Sequence, residues 1–350
     1  MPADELTLAA LRARIPGHCF EIQPKRALAY LGFDLFLIMA SYGAMTVCPV
    51  WYVQLPLVGL IGTLLWALFV LGHDAGHGVF FKGRLANTVA GILLHGALLV
   101  PYRAWQRSHA RHHAWTGHLE REEVFRACHP GQTGWLYALF FRSGLFLLLG
   151  WPLYKLGLRN IGCASLTRHS HFLPGSDLMC TAFRGSWWAS LAVVLTALCV
   201  YGGIGLVFGP WVFLVYIVGP YLVYSTWLTL TTWLHHVSEE VPVYDAAHWT
   251  PVKGALCTVD RDYGLFGWLT HNTGPYHVVH HLFPRIPHYH LRAATEAIAP
   301  VLGPFYLTSK RFIVFDLIRS LQKCQIVVPG KGCFVYRSAR REASSREARR

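Results

Sequence analysis

Four stretches of this chain are almost wholly apolar: Leu28–Cys48, Leu55–Gly72, Trp187–Phe208 and Trp211–Thr231. Each approaches the roughly 20 residues a helix needs to cross the hydrocarbon of a bilayer. The short loop Pro49–Gln54 joins the first two, and Gly209 and Pro210 separate the last two. The pattern predicts two membrane-crossing hairpins. Two weaker apolar stretches, Thr88–Val100 and Gly134–Leu153, are expected to lie in or against the interface, because the first is too short and Arg142 interrupts the second. If neither crosses, the N-terminus, the segment Gly72–Trp187 and everything after Thr231 share one face.

Composition supports a membrane protein: 53% of residues are hydrophobic and 14% charged, against roughly 25% charged in soluble domains. The net charge is +13, yet no Lys or Arg lies between Arg26 and Lys82 or between Arg184 and Lys253. The basic residues therefore collect on the shared face, which marks it as cytosolic. No basic stretch interleaves with a soluble fold, so nucleic acid is not an expected partner. Asp34, near the cytosolic end of the first span, is expected to be hydrated or paired, since a bare charge in hydrocarbon is costly. Nine cysteines without a Cys-x-x-Cys pair predict reduced thiols rather than a disulfide framework. The first residues lack the pattern of a secretory signal. The expected organisation is a cytosolic segment 1–27, a membrane unit 28–309, and a basic tail 310–350 that is expected to be disordered and to touch anionic lipid.

Histidine changes the picture. The chain has 20, and three clusters stand out: His73 and His77, directly after the second span; His109, His112 and His113; and His277, His280 and His281. On a helix, residues three and four apart share a face, so each cluster presents its imidazoles together. His235 and His236, at the end of the fourth span, are a further candidate. Eight or nine imidazoles exceed the needs of one ion and suit two. Imidazole binds Zn, Cu, Fe and Ni; a structural zinc site needs four ligands, and zinc does no redox chemistry. A large all-histidine site beside a bilayer suits iron that activates O2.

The segments His73-Asp74-Ala75-Gly76-His77, His109-Ala110-Arg111-His112-His113 and His277-Val278-Val279-His280-His281 resemble the three histidine boxes of membrane fatty acid desaturases. Leu6–Phe20, Ser108–Phe125 and Lys253–Leu291 are similar to segments of the methyl-end (omega-6 and omega-3) members, and the likeness covers roughly residues 5 to 305. Gly78 after the first box and the run His280–Leu291 look more like omega-3 than omega-6 enzymes. Ala75 departs from the pattern, standing where Cys is common.

The resemblance implies an all-α integral membrane fold with four spans and a cytosolic helical cap. It implies two iron ions, O2 as cosubstrate, and insertion of a cis double bond into the acyl chain of a phospholipid or acyl-CoA. His73, His77, His109, His112, His113, His277, His280 and His281 would be ligands. His236 would be the ninth, with His235 as its rival. Asp74, Asp260 and Asp262, with Glu120, Glu122 and Glu123, are candidates to orient the rings. Aromatic residues along Tyr221–Trp233 would line the acyl tunnel. No cytochrome b5 segment is fused, so an external donor is implied: cytochrome b5 with its reductase, docking on a basic face that includes Arg103, Arg107 and Arg111, in the endoplasmic reticulum.

Two other readings use the same residues. A hydroxylase or acetylenase shares the boxes and differs in product. A histidine-rich transporter would place its histidines within the spans; here the clusters flank them.

Overall fold

A computed structural model of the protein describes residues 6–125, 127–132, 134–158 and 169–339. Among the described residues four helices are long and apolar enough to cross a membrane: Pro24–Val47, Trp51–His77, Thr181–Phe208 and Pro210–His236. They are the four spans of the sequence pattern, each lengthened at one end or both. Pro24 begins the first, a position where its missing N–H costs nothing. The second and fourth have 27 residues each, about 40 Å of helix, against about 30 Å of hydrocarbon. Each is therefore longer than the bilayer core is thick, so some turns must lie outside it. The added turns at these ends are His73–His77 and Thr232–His236.

The second and fourth spans form the centre of the bundle. At Gly62 they cross so closely that a Cβ would stand 2.4 Å from Cβ of Val223 and 2.7 Å from the carbonyl of Pro220. Trp227 donates its indole N–H to Thr63 across the same seam at 2.9 Å. A π-helical turn at Phe213–Val218 interrupts the fourth span just before this contact.

The stretch around Thr88–Val100 forms the helix Arg84–Ala97, which turns by 103° into Tyr102–Trp115. Neither arm crosses alone, and the second carries the second histidine cluster. Trp135–Arg142 and Leu145–Lys155 are likewise two short helices, broken at Gly144, whose φ is 75°.

The cap is helical with small β elements, which the all-α expectation did not include. Parallel strands β2 (Val259–Arg261) and β3 (Leu307–Ser309) pair, and β1 (Pro242–Val243), β5 (Phe334–Arg337) and β4 (Ile326–Pro329) form an antiparallel sheet in the order β1-β5-β4. The strands are two to four residues long, too short to leave a periodic signature.

The tail departs from expectation more clearly. Ile313–Lys323 is a helix, and β4 and β5 follow it. Leu317 and Leu321 pack with Trp233 and Val237 at the end of the fourth span, alongside Val327 and Tyr336. Residues 340–350, most of the strongly basic run from Arg337, lie outside the described residues. The N-terminal segment is also ordered where described: Leu6, Leu11, Ile15 and Cys19 pack on Val278, Val279 and Leu282 of the third histidine cluster. Among the described residues seven cysteines are free, as expected, but Cys128 is disulfide-bonded.

Candidate metal centre

The three histidine clusters lie on three helices that meet beneath the bundle. His73 and His77 occupy the last turns of the second span, His109, His112 and His113 the helix Tyr102–Trp115, and His277, His280 and His281 the short helix His277–Leu282. Helical spacing divides them between two groups. His73, His77, His109, His113 and His280 converge in one, and His112, His236 and His281 in the other, with the ligand atoms of each group within 4.8 Å of one another. His277 joins the second group through an Nε2–Nε2 distance of 3.2 Å to His281. The second and third clusters thus each serve both groups, because residues four apart fall together while the remaining one faces aside.

The Nε2 atoms face one another. His77 lies 3.2 Å from His73 and 3.0 Å from His109. His113 lies 3.0 Å from His109 and 3.1 Å from His280. In the second group His112 and His236 are 3.2 Å apart.

Their outer nitrogens decide what these distances mean. Nδ1 of His112 lies 2.7 Å from the Glu122 carboxylate, and Nδ1 of His236 lies 3.2 Å from the carbonyl of Cys257. Both partners only accept, so both Nδ1 atoms carry the proton. Both Nε2 atoms are then bare lone pairs pointed at each other, an arrangement that repels unless a cation sits between them. Two imidazoles bound at right angles to an ion at about 2.1 Å would stand about 3.0 Å apart. The residues therefore fit a pair of metal ions.

Burial, and then the neighbouring imidazoles, hold His277, His280 and His281 well below the ordinary histidine range. They are neutral at pH 7 and available as donors.

Glu122 is itself fixed, accepting the backbone N–H groups of Gly117, Glu123 and Val124 at 3.0–3.1 Å. Asp74 accepts from the Nδ1 and the backbone N–H of His288 at 2.8 and 3.1 Å, and its other oxygen is 3.8 Å from Nδ1 of His73. Asp260 accepts from the N–H of Val278 and the hydroxyl of Tyr306, both at 2.7 Å, and so anchors the start of the third-cluster helix. Asp262 does not reach the cluster: it is exposed and caps its own turn through the N–H of Gly264 at 2.8 Å. Glu120 is also exposed, while Glu123 accepts from Ser108.

His235 points away from the groups. Its Nδ1 donates to the carbonyl of Val259 at 2.5 Å, and its Nε2 is 3.0 Å from the hydroxyl of Tyr263. Its neighbour His236, about 100° further round the helix, turns inward. Asp34 is paired, with His271 at 2.8 Å.

An apolar cavity of about 180 Å³ abuts the cluster at His73, His109, His112 and His277. Phe125, Phe141, Phe146 and Trp233 also line it. Of the stretch Tyr221–Trp233, the residues lining it are Leu228, Thr229, Thr231, Thr232 and Trp233. Tyr221 instead accepts from Lys155, and Tyr224 is buried in the bundle. The contribution of Phe125, Phe141 and Phe146 escaped the sequence reading. The doublet Phe140-Phe141, inside a stretch assigned to the interface, was the available signal.

The family model for fatty acid desaturases matches residues 49–312. The chain belongs to the fatty acid desaturase family. Among curated relatives of this desaturase, an sn-1 acyl-lipid omega-3 desaturase (ferredoxin) from Synechocystis is 40% identical, covering 94% of this chain and 90% of its own. An omega-3 fatty acid desaturase of the endoplasmic reticulum from Nicotiana tabacum is 37% identical, over 90% and 85%. A chloroplastic sn-2 acyl-lipid omega-3 desaturase (ferredoxin) from Arabidopsis thaliana is 40% identical, over 85% and 67%. The desaturase is thus an oxidoreductase with four helices able to cross a membrane.

Proposed function

We propose that this desaturase inserts an omega-3 double bond into the acyl chain of a membrane lipid, using two iron ions held by the nine histidines. The observation that carries the reading is the pair of imidazole groups with Nε2 atoms facing inward, set against an apolar cavity. His73, His77, His109, His113 and His280 would hold one ion, and His112, His236, His277 and His281 the other. When bound, the irons supply O2 activation and oxidation of an unactivated C–H bond. The reaction takes two hydrogens from adjacent methylenes and reduces O2 to two waters. The substrate contributes two of the four electrons, so two electrons and two protons come from outside.

The chain's own residues do the rest. Glu122 and the Cys257 carbonyl fix the rotation and tautomer of His112 and His236, as partners of metal-bound histidines generally do. Asp260 holds the third-cluster helix in register. The cavity, lined by aromatic and threonine side chains, holds an alkyl segment beside His109 and His112 and keeps bulk water away from it. Relatives named for the endoplasmic reticulum and for the chloroplast do not single out one membrane. The reading adopted is a membrane-embedded enzyme with its site on the basic face. Its donor is an external one-electron carrier, ferredoxin or cytochrome b5.

Expression in yeast with a co-expressed ferredoxin system, fed dienoic C18 and C20 acids, tests this by gas chromatography of the lipids. A new cis double bond three carbons from the methyl end is expected. It should vanish in His109→Ala and His280→Ala while the protein remains in the membrane. Hydroxylated or acetylenic products would move the assignment to a sister reaction, and activity in both variants would overturn the metal assignment.

A further inference from the structure

The helix Ile313–Lys323 is built inside out. Its two most buried side chains are polar. Asp316 is 4% exposed and paired with Arg261. Ser320 donates to the carbonyl of Val237 and accepts the indole N–H of Trp233, both at 2.8 Å. Leu317 and Leu321 pack beside them. The outward face is apolar over the first two turns: Val314, Phe315 and Ile318 are exposed, Phe315 by 66%, and so is Phe312 just before the helix. A helix lying between core and water carries the reverse pattern, with its polar side chains outward. The only acid in this helix is the buried Asp316.

The helix sits where the bundle meets the cap. Ser320 and Trp233 join it to the last turns of the fourth span, and Arg261, the partner of Asp316, donates to the carbonyl of Leu234 in the same turns at 2.8 Å. Strand β3, which precedes the helix, pairs with β2, which leads into the short helix Leu265–Leu269. That helix also turns large apolar side chains outward: Leu265, Phe266 and Trp268 are exposed. Phe266 rests against Trp227 of the fourth span, with 5.4 Å between ring centroids, and Trp268 against Phe33 of the first, at 6.0 Å. The outward face of Ile313–Lys323 thus continues the apolar surface of the spans.

We infer that residues 312–318 lie in the plane of the membrane, with Phe312, Val314, Phe315 and Ile318 among the acyl chains of the leaflet on the basic face. In-plane helices sink about 5–10 Å into that boundary. Lys310 and Arg311 are exposed immediately before the apolar stretch, and among the described residues Lys310 has no carboxylate partner. Cations so placed meet lipid phosphates while the side chains after them enter hydrocarbon. A second copy of the chain is a poorer occupant. Eleven residues of helix offer a strip about 16 Å long and 10 Å wide, far below the roughly 800 Å² per partner of a stable protein interface. The helix runs directly into Cys324 and Gln325, which line the apolar cavity, so one wall of that cavity is held at the level of the lipid chains. The membrane footprint extends past the four spans into a segment whose sequence reads as a polar tail.

The test places a photoreactive side chain on the outward face of the full-length protein in nanodiscs of phosphatidylcholine and phosphatidylglycerol. The variant Phe315→p-benzoylphenylalanine is irradiated and the intact protein weighed by mass spectrometry. The same probe at Phe36, exposed on the first span, and at Ala247, exposed in the cap, brackets the signal. An adduct of one phospholipid is expected at position 315, in a yield within about threefold of that at 36 and at least tenfold above that at 247. Position 318 serves in the same way should the first variant fold poorly. No lipid adduct at either position overturns the inference, and a crosslink between two copies overturns it in favour of a dimer. The readout is independent of turnover: a lipid adduct in a protein that makes no alkene would fail the desaturase reading and leave the helix in the membrane.

Discussion

Neighbouring histidines at the end of the fourth span have opposite roles. His235 has both ring nitrogens occupied by Val259 and Tyr263, while His236 presents a bare Nε2 to His112. His236→Ala is expected to lower bound iron, measured by plasma mass spectrometry, and to reduce turnover at least 100-fold. His235→Ala should keep its iron but unfold earlier, because two buried polar partners lose their hydrogen bonds at about 1–3 kcal/mol. Equal iron loss in both would contradict this division. At Glu122 the change to Gln keeps the shape and removes the charge that favours a protonated Nδ1 on His112. Loss of such an outer partner typically weakens metal binding 10- to 100-fold, and a chelator competition titration should show a shift in that range.

At the scale of elements, the second and fourth spans carry the site because their extra turns reach past the bilayer core, and Gly62 sets how closely they approach. Gly62→Val has no room against Val223 and Pro220. Forcing the spans apart should cost about 1–3 kcal/mol and lower the midpoint of thermal unfolding in detergent. Activity should fall with it, since His73 and His236 ride on these two helices; a variant as stable and as active as the wild type would show that the seam is not what spaces them. The spans and clusters were legible in the sequence because a membrane demands long apolar runs and a helix places residues three and four apart on one face. The division of nine rings into two groups was not, because it depends on how four helices are rotated about each other. Nor were the strands from Val259 to Arg337, since two to four residues carry no period, and a basic composition disguised a tail whose Leu317, Leu321 and Val327 complete a core. Asp262 lies in the same segment as Asp260 and has the same chemistry, yet one anchors a helix and the other a turn.

For the whole molecule, the third histidine cluster ties stability to pH. The folded-state pKa values of His277, His280 and His281 lie well below 6.5, while unfolded histidine titrates near 6.5. Below that pH the unfolded chain binds more protons than the folded one, so stability rises with pH and falls on acidification. The metal-free protein should therefore lose thermal stability steadily between about pH 7 and pH 5. A flat profile over that interval would mean that the rings are hydrated rather than packed.

The helices Tyr102–Trp115 and His277–Leu282 each contribute to both histidine groups. A rotation of either helix that improves one group necessarily disturbs the other, so the two positions cannot be filled or emptied as independent compartments. Were each group to take an ion, occupancy would be a property of the assembly, because filling one position would bias the helix rotation on which the other depends.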